Sequence, residues 1–130
     1  MTFVPGQLLQ SFLDRGVLVL TIAQPRLQGE EIAHELREAL REAVEESGVN
    51  RVVIDFCHAR YLSSAAFWPL LSLRKKLRDE GGRMMICGLT GDVEDVFTTT
   101  KMISTGGSAD APFEVAADPS AAVARLLGEG

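Results

Sequence analysis

The chain has 130 residues, 46% hydrophobic and 24% charged, which bounds it to one globular domain with room for a real core. Its formal net charge of −5 argues against a nucleic-acid partner, because phosphate binding needs a concentrated basic surface. No apolar segment approaches the ~20 residues of a membrane span, and MTFVPGQLLQSFLDRG lacks a basic start followed by an apolar run, so a cytoplasmic chain is expected.

Gln7 to Phe12 reads as a short edge strand and Gly16 to Ile22 as a stronger one. Asp14-Arg15-Gly16 has the composition of the hairpin turn between them. A helix is expected from about Glu30 to Glu46, where Ile32, Leu36, Ala39, Leu40, Ala43 and Val44 repeat at three and four residues. Glu30 and Glu31 suit its positive start, and Gly48 supplies a stop. Residues 51 to 57 hold Val52-Val53-Ile54-Asp55-Phe56, a short, β-branched and nearly continuous apolar run that suits a strand buried on both faces.

A second helix is expected from about Ala65 to Glu80, with Ala66, Leu70, Leu73 and Leu77 on one face and Gly81-Gly82 after it. Its cluster Arg74-Lys75-Lys76 with Arg78 reads as a solvated face. Arg83 to Cys87 is the next apolar strand, and Thr90 or Asp92 can cap a third helix from Val93 to about Thr99. Ser104 to Pro112 has a loop composition, Phe113 to Ala116 alternates like a strand, and Pro119 to Leu127 closes the chain as a helix with Asp118 as cap. The order β-β-α-β-α-β-α-β-α predicts an α/β fold in a single domain over residues 1–130, with its core at about 10–127. About five strands would form a mixed, mainly parallel sheet carrying about four helices.

Catalytic signatures are missing: there is no phosphate-binding Gly-x-x-x-x-Gly-Lys, no His-Glu-x-x-His and no Gly-x-Ser-x-Gly. His34 falls on the polar side of the first helix. Cys57 and His58 are adjacent, and neighbours on a strand point to opposite faces, so they make a poor nucleophile–base pair. Cys57 and Cys87 read as small buried side chains at strand ends, too few for a metal site. Asp55, inside an apolar strand, needs a partner and is expected to anchor a loop or to shape the nearby serines.

Those serines stand at the junction Tyr61-Leu62-Ser63-Ser64-Ala65-Ala66, where a strand gives way to a helix. A hydroxyl there can cap free N–H groups, and it can also carry a phosphate into a site suited to anions. Trp68 lies one turn beyond Ser64 and is either core or an interface anchor. With Ser64 as the cap, Pro69 falls just past the free first turn and costs a backbone hydrogen bond, so the helix start is distorted or its true first turn lies a residue or two later.

The element order and the run from Val52 through Ala66 resemble the STAS domain, the family of anti-sigma factor antagonists, over roughly residues 10 to 127. Gly81-Gly82 turning into Met84-Met85-Ile86, and Gly91-Asp92-Val93 turning into the third helix, are similar to the family as well. In that family a motif of the form Asp-Ser-Ser-Gly or Ser-Ser-Ala-Gly opens the second helix, and its serine is phosphorylated by the partner. Matching Ser63-Ser64-Ala65-Ala66 to it puts Ser64 on the phosphorylated serine, with Ser63 as the alternate. Ala66 replaces the family's glycine, and Trp68-Pro69 replace small or aliphatic residues.

The resemblance implies a non-enzymatic, cofactor-free binding protein. Unphosphorylated, it would hold an anti-sigma factor serine kinase through Ser63, Ser64, Ala65, Phe67 and Trp68; phosphorylated, it would release it, and a serine phosphatase would reset it. ATP and Mg²⁺ would come with the kinase. A second implication is a non-switching scaffold subunit of a larger signalling or lipid-transport assembly, in which Ser64 is only a helix cap.

Overall fold

Strands that bury both faces need helices on each side, and the alternation of side chains along this sheet shows which residues meet which layer. The computed structural model describes residues 8–103 and 111–128. Its five-stranded sheet has the order β1-β2-β4-β6-β7, where β1 is Leu9–Asp14, β2 Val17–Ile22, β4 Arg51–Asp55, β6 Arg83–Cys87 and β7 Glu114–Ala116. β1 runs antiparallel to β2, and every other pairing in this sheet is parallel. The helices are α1 Glu30–Ser47, α2 Phe67–Asp79, α3 Gly91–Thr99 and α4 Pro119–Leu126.

Leu18, Leu20, Val52, Ile54, Met84 and Ile86 point into the larger core, shared with buried residues of α1, α2 and α3. Val17, Val19, Val53, Met85 and Cys87 point the other way, onto Ala122, Val123 and Leu126 of α4. Each fully buried Leu, Ile or Phe side chain contributes on the order of 1.5–3 kcal/mol, so the larger cluster dominates stability. At its centre Phe97 of α3 meets Phe56, Phe67 and Phe113 edge to face, with ring centroids 5.4, 5.1 and 6.2 Å away.

The hairpin turns at Arg15 and Gly16 with φ of 53° and 84°, the pair of positive values that a tight two-residue hairpin requires. β1 extends past Phe12 to Asp14, because the register to β2 continues to the turn, and Gln7 lies outside the described residues. Helix α1 ends one residue beyond the expected Glu46, with Gly48 at φ 70° accepting the left-handed cap. α3 begins at Gly91, two residues before Val93, with Thr90 at the cap position but no side-chain bond. Asp118 does cap α4, where its carboxylate accepts from Ala121 N at 2.8 Å, and Pro119 occupies the first turn. The last strand starts at Glu114, Phe113 being held by an isolated bridge to Ile103. Of the loop expected at 104–112, residues 104–110 lie outside the described residues.

Two further strands were not anticipated. β3, Arg26–Leu27, pairs in parallel with β5, Tyr61–Leu62, as a separate two-stranded sheet. The strand expected over 51–57 stops at Asp55, so Cys57 and His58 sit in an exposed turn rather than on a strand.

Candidate functional site

Ser63 and Ser64 follow β5 directly, and the β3–β5 clip holds their backbone in place. Pro25 O accepts from Arg60 N at 2.7 Å and from Tyr61 N at 3.0 Å, and Leu27 O accepts from Ser63 N at 2.9 Å. The segment entering α1 is thereby locked against the segment entering α2. Ser63 Oγ accepts from Gly29 N, the cap residue of α1, at 3.4 Å, a long bond that turns this hydroxyl toward the start of α1.

The chain then makes a short 3₁₀ turn, Ser64–Ala66, and α2 proper begins at Phe67. Neither Ser63 nor Ala66, at the two cap positions, forms a side-chain capping bond. The capping role open to Ser63 or Ser64 is therefore not taken up: Ser63 serves α1 instead, and Ser64 makes no side-chain hydrogen bond among the described residues. The late start of α2 also accommodates Pro69. As the third residue of the helix, its nitrogen falls among positions that lack an intrahelical acceptor anyway. Ala66 lies at φ −73°, a conformation open to any residue, so the family's glycine is not required here.

Ser64 is exposed, with Ser63 and Ala65 half-buried beside it. Phe67 and Trp68 divide sharply. Phe67 is 5% exposed and packs on Phe97, so its ring faces the core rather than solvent. Trp68 is 39% exposed, its ring edge to face with His34 at 5.4 Å and 5.9 Å from the Arg37 guanidinium. On the other flank the Arg26 guanidinium lies 5.0 Å from the ring of Tyr61, which is 37% exposed. Ser64 thus lies along the chain between two exposed aromatic residues, each partnered by an arginine, on the lip that leads into α2. His34 is exposed as expected, yet it packs on an aromatic ring rather than standing free in solvent.

Asp55 is 5% exposed, and its Oδ1 accepts from Cys57 N at 3.0 Å, so it anchors the turn after β4 rather than bonding either serine. Cys57 is exposed, correcting the expectation of a buried side chain, whereas Cys87 is fully buried; both are free thiols. Burial and then the nearby Asp55 carboxylate push both thiols above the ordinary range, Cys87 far more, which opposes thiolate chemistry. Among the described residues no group of three His, Cys, Asp or Glu could hold a metal ion. The basic cluster of α2 is a solvated face: Lys75 and Lys76 pair with Asp79 and Glu80 one turn on, at 2.9 and 2.7 Å.

Among the described residues, four helices on a mixed five-stranded sheet, with an exposed serine where a strand runs into a helix, define a single α/β domain. The sequence profile of the STAS domain matches residues 14–105, and the chain belongs to the STAS domain family. Solved structures share the fold. A candidate anti-sigma factor antagonist of Thermotoga maritima superposes with a TM-score of 0.75 at 14% identity, over 95% of this chain and 97% of that one. The anti-sigma factor antagonist SpoIIAA in its unphosphorylated form gives 0.71 at 17% identity, over 92% and 96%. The phosphorylated form of SpoIIAA, a Bacillus cell-fate determinant, gives 0.59 at 18% identity, over 91% and 98%. Among the described residues no helix is long and apolar enough to cross a membrane.

Proposed function

We propose that the chain is an anti-sigma factor antagonist, a cytoplasmic, non-enzymatic binding protein switched by phosphorylation of Ser64. The observation that carries this reading is the state of the Ser64 hydroxyl: exposed, free of side-chain bonds, and at the first turn leading into α2. A phosphate there adds roughly −1.5 to −2 charges at neutral pH. The fold tolerates that charge, since the Ser64 and Ala65 N–H groups have no backbone partner among the described residues and the helix dipole favours an anion. A partner docked on Ser64, Ala65 and Trp68 does not tolerate it.

In the unphosphorylated state the protein binds an anti-sigma factor serine kinase through this lip, with Trp68 as anchor and Ser63 fixing the loop. The kinase supplies ATP and Mg²⁺, and transfer to Ser64 breaks the complex. A serine phosphatase restores it. That the related SpoIIAA is known in phosphorylated and unphosphorylated forms supports the reading. The test is the affinity of the cognate kinase for two variants: Ser64→Ala binds constitutively and Ser64→Asp does not. Equal binding of Ser64→Asp and the unmodified protein would refute the switch and leave a scaffold role.

A further inference from the structure

The edge strand β1 is the other conspicuous surface of the molecule, and nothing in the Ser64 site accounts for it. Sheet edges are normally blunted by lysine, proline or a bulge, because their unpaired main-chain groups invite another strand. β1, Leu9-Gln10-Ser11-Phe12-Leu13-Asp14, contains no basic residue or proline and keeps an unbroken register with β2. Residues 8, 10, 12 and 14 bond inward, as the two-residue turn dictates and the bond from Ala23 N to Leu8 O confirms. Leu9, Ser11 and Leu13 therefore turn their main-chain N–H and C=O groups outward, where no strand among the described residues meets them.

Phe12 and Leu13 are 53% and 56% exposed, the highest values for large hydrophobic residues among those described. Between β1 and α1 runs a groove of about 480 Å³ whose floor includes Leu9, Leu13, Ala39 and Ala43. Its charged lining residues are two carboxylates, Glu42 and Glu46, and among the described residues no cation lines it. Arg37 pairs with Glu38 and Arg41 with Glu45, but Glu42 and Glu46 have no ion-pair partner among the described residues. Like charges one turn apart on a helix are mildly destabilising on their own, and a cation from outside would reverse that.

We infer that β1 and this groove form a second docking surface, for an extended segment of another protein in which apolar residues alternate with lysine or arginine. The segment adds a strand to β1 through the outward groups of Leu9, Ser11 and Leu13. Its apolar side chains cover Leu13 and the groove floor, and its cations reach Glu42 and Glu46. Charge selects this occupant over a second copy of the chain, which brings a net −5 of its own. Glu42 lies thirteen residues along α1 from Gly29, or roughly 20 Å at helical rise. The groove can therefore be filled while the Ser64 lip is engaged, and it does not depend on the phosphoswitch.

The experiment titrates the isotope-labelled full-length protein with end-capped Lys-Val-Lys-Val-Lys-Val and with Glu-Val-Glu-Val-Glu-Val. Amide shifts concentrated at Leu9, Ser11 and Leu13 are expected, with the basic peptide bound about tenfold more tightly. The double variant Glu42→Gln, Glu46→Gln removes that preference, and Ser64→Asp leaves it unchanged. All three side chains are exposed, so the fold is retained. Equal affinity for the two peptides, or shifts away from β1, overturns the proposal. So does binding that appears only after residues 1–7 are removed, which identifies the chain's own segment as the occupant, or a dimer in sedimentation that Leu13→Asp dissociates.

Discussion

The indole of Trp68 meets the imidazole of His34 edge to face, with centroids 5.4 Å apart and planes at 74°. This contact joins α2 to α1 beside Ser64 and holds a half-exposed tryptophan in a fixed pose. A rigid, exposed aromatic ring is the kind of residue that dominates interface energetics. Trp68→Ala should weaken kinase binding by about 2 kcal/mol or more, near thirtyfold, measured by titration calorimetry. Its stability cost should be only the worth of an aromatic pair, about 0.5–1.5 kcal/mol.

Phe67→Ala should show the opposite balance. The ring is buried against Phe97 and lines no outer surface, so truncation leaves a cavity in the main core. Urea unfolding should report a loss of about 3–5 kcal/mol. Affinity of the fraction that stays folded should change far less than for Trp68→Ala.

Gly88 is fixed by its neighbours rather than by its place in a loop. It has φ of 74°, and a Cβ built there would stand 2.4 Å from Asp55 Oδ1 and 2.9 Å from Cys57 N. Gly88→Ala must displace the carboxylate that anchors the turn after β4, costing about 1–3 kcal/mol in urea denaturation. Because that turn precedes β5, the variant should also speed hydrogen exchange at Tyr61 and Ser63.

The thiols supply a pH signature. Burial raises the Cys87 pKa in the folded state, so above the ordinary thiol value of 9.0 the unfolded chain loses this proton first. The associated stability is fully present below that pH and falls as pH rises, by up to about 1.4 kcal/mol per unit. Cys87→Ala should flatten this alkaline loss in pH-dependent unfolding. Cys57 should react with a thiol reagent in the folded protein, and Cys87 only after unfolding.

Arg83 and Glu114 join β6 to β7 through paired bonds, one of them from Arg83 Nε at 2.8 Å, and the guanidinium lowers the Glu114 pKa. Stability from this pair is present above the ordinary glutamate range and is lost as pH falls through the depressed value. Both side chains are more than two-fifths exposed, so Glu114→Gln should cost less than about 1 kcal/mol in thermal unfolding.

The long elements were legible in the sequence because their patterns outlast local noise. The stripe from Leu36 to Val44, the stop at Gly48 and the cap at Asp118 all lie where periodicity and capping chemistry put them. β3 and β5 were not legible, since two residues carry no period; their pairing depends on Pro25 and Leu27 carbonyls meeting a segment far along the chain. Phe67 and Trp68 look alike as adjacent aromatics, yet neighbours on a helix diverge by about 100°, and only the packing of α2 decides which one faces inward. Pro69 did mark the delayed start of α2, but the direction of the Ser63 hydroxyl toward Gly29 has no signature in the sequence.

Phosphosite mapping by mass spectrometry, after incubation with the cognate anti-sigma factor kinase and MgATP, tests the Ser64 switch at its chemical step. One phosphate is expected, on Ser64 and absent from Ser64→Ala, with the phosphorylated protein eluting free of the kinase. Phosphate on neither serine, or a phosphorylated protein that stays bound, would contradict the switch.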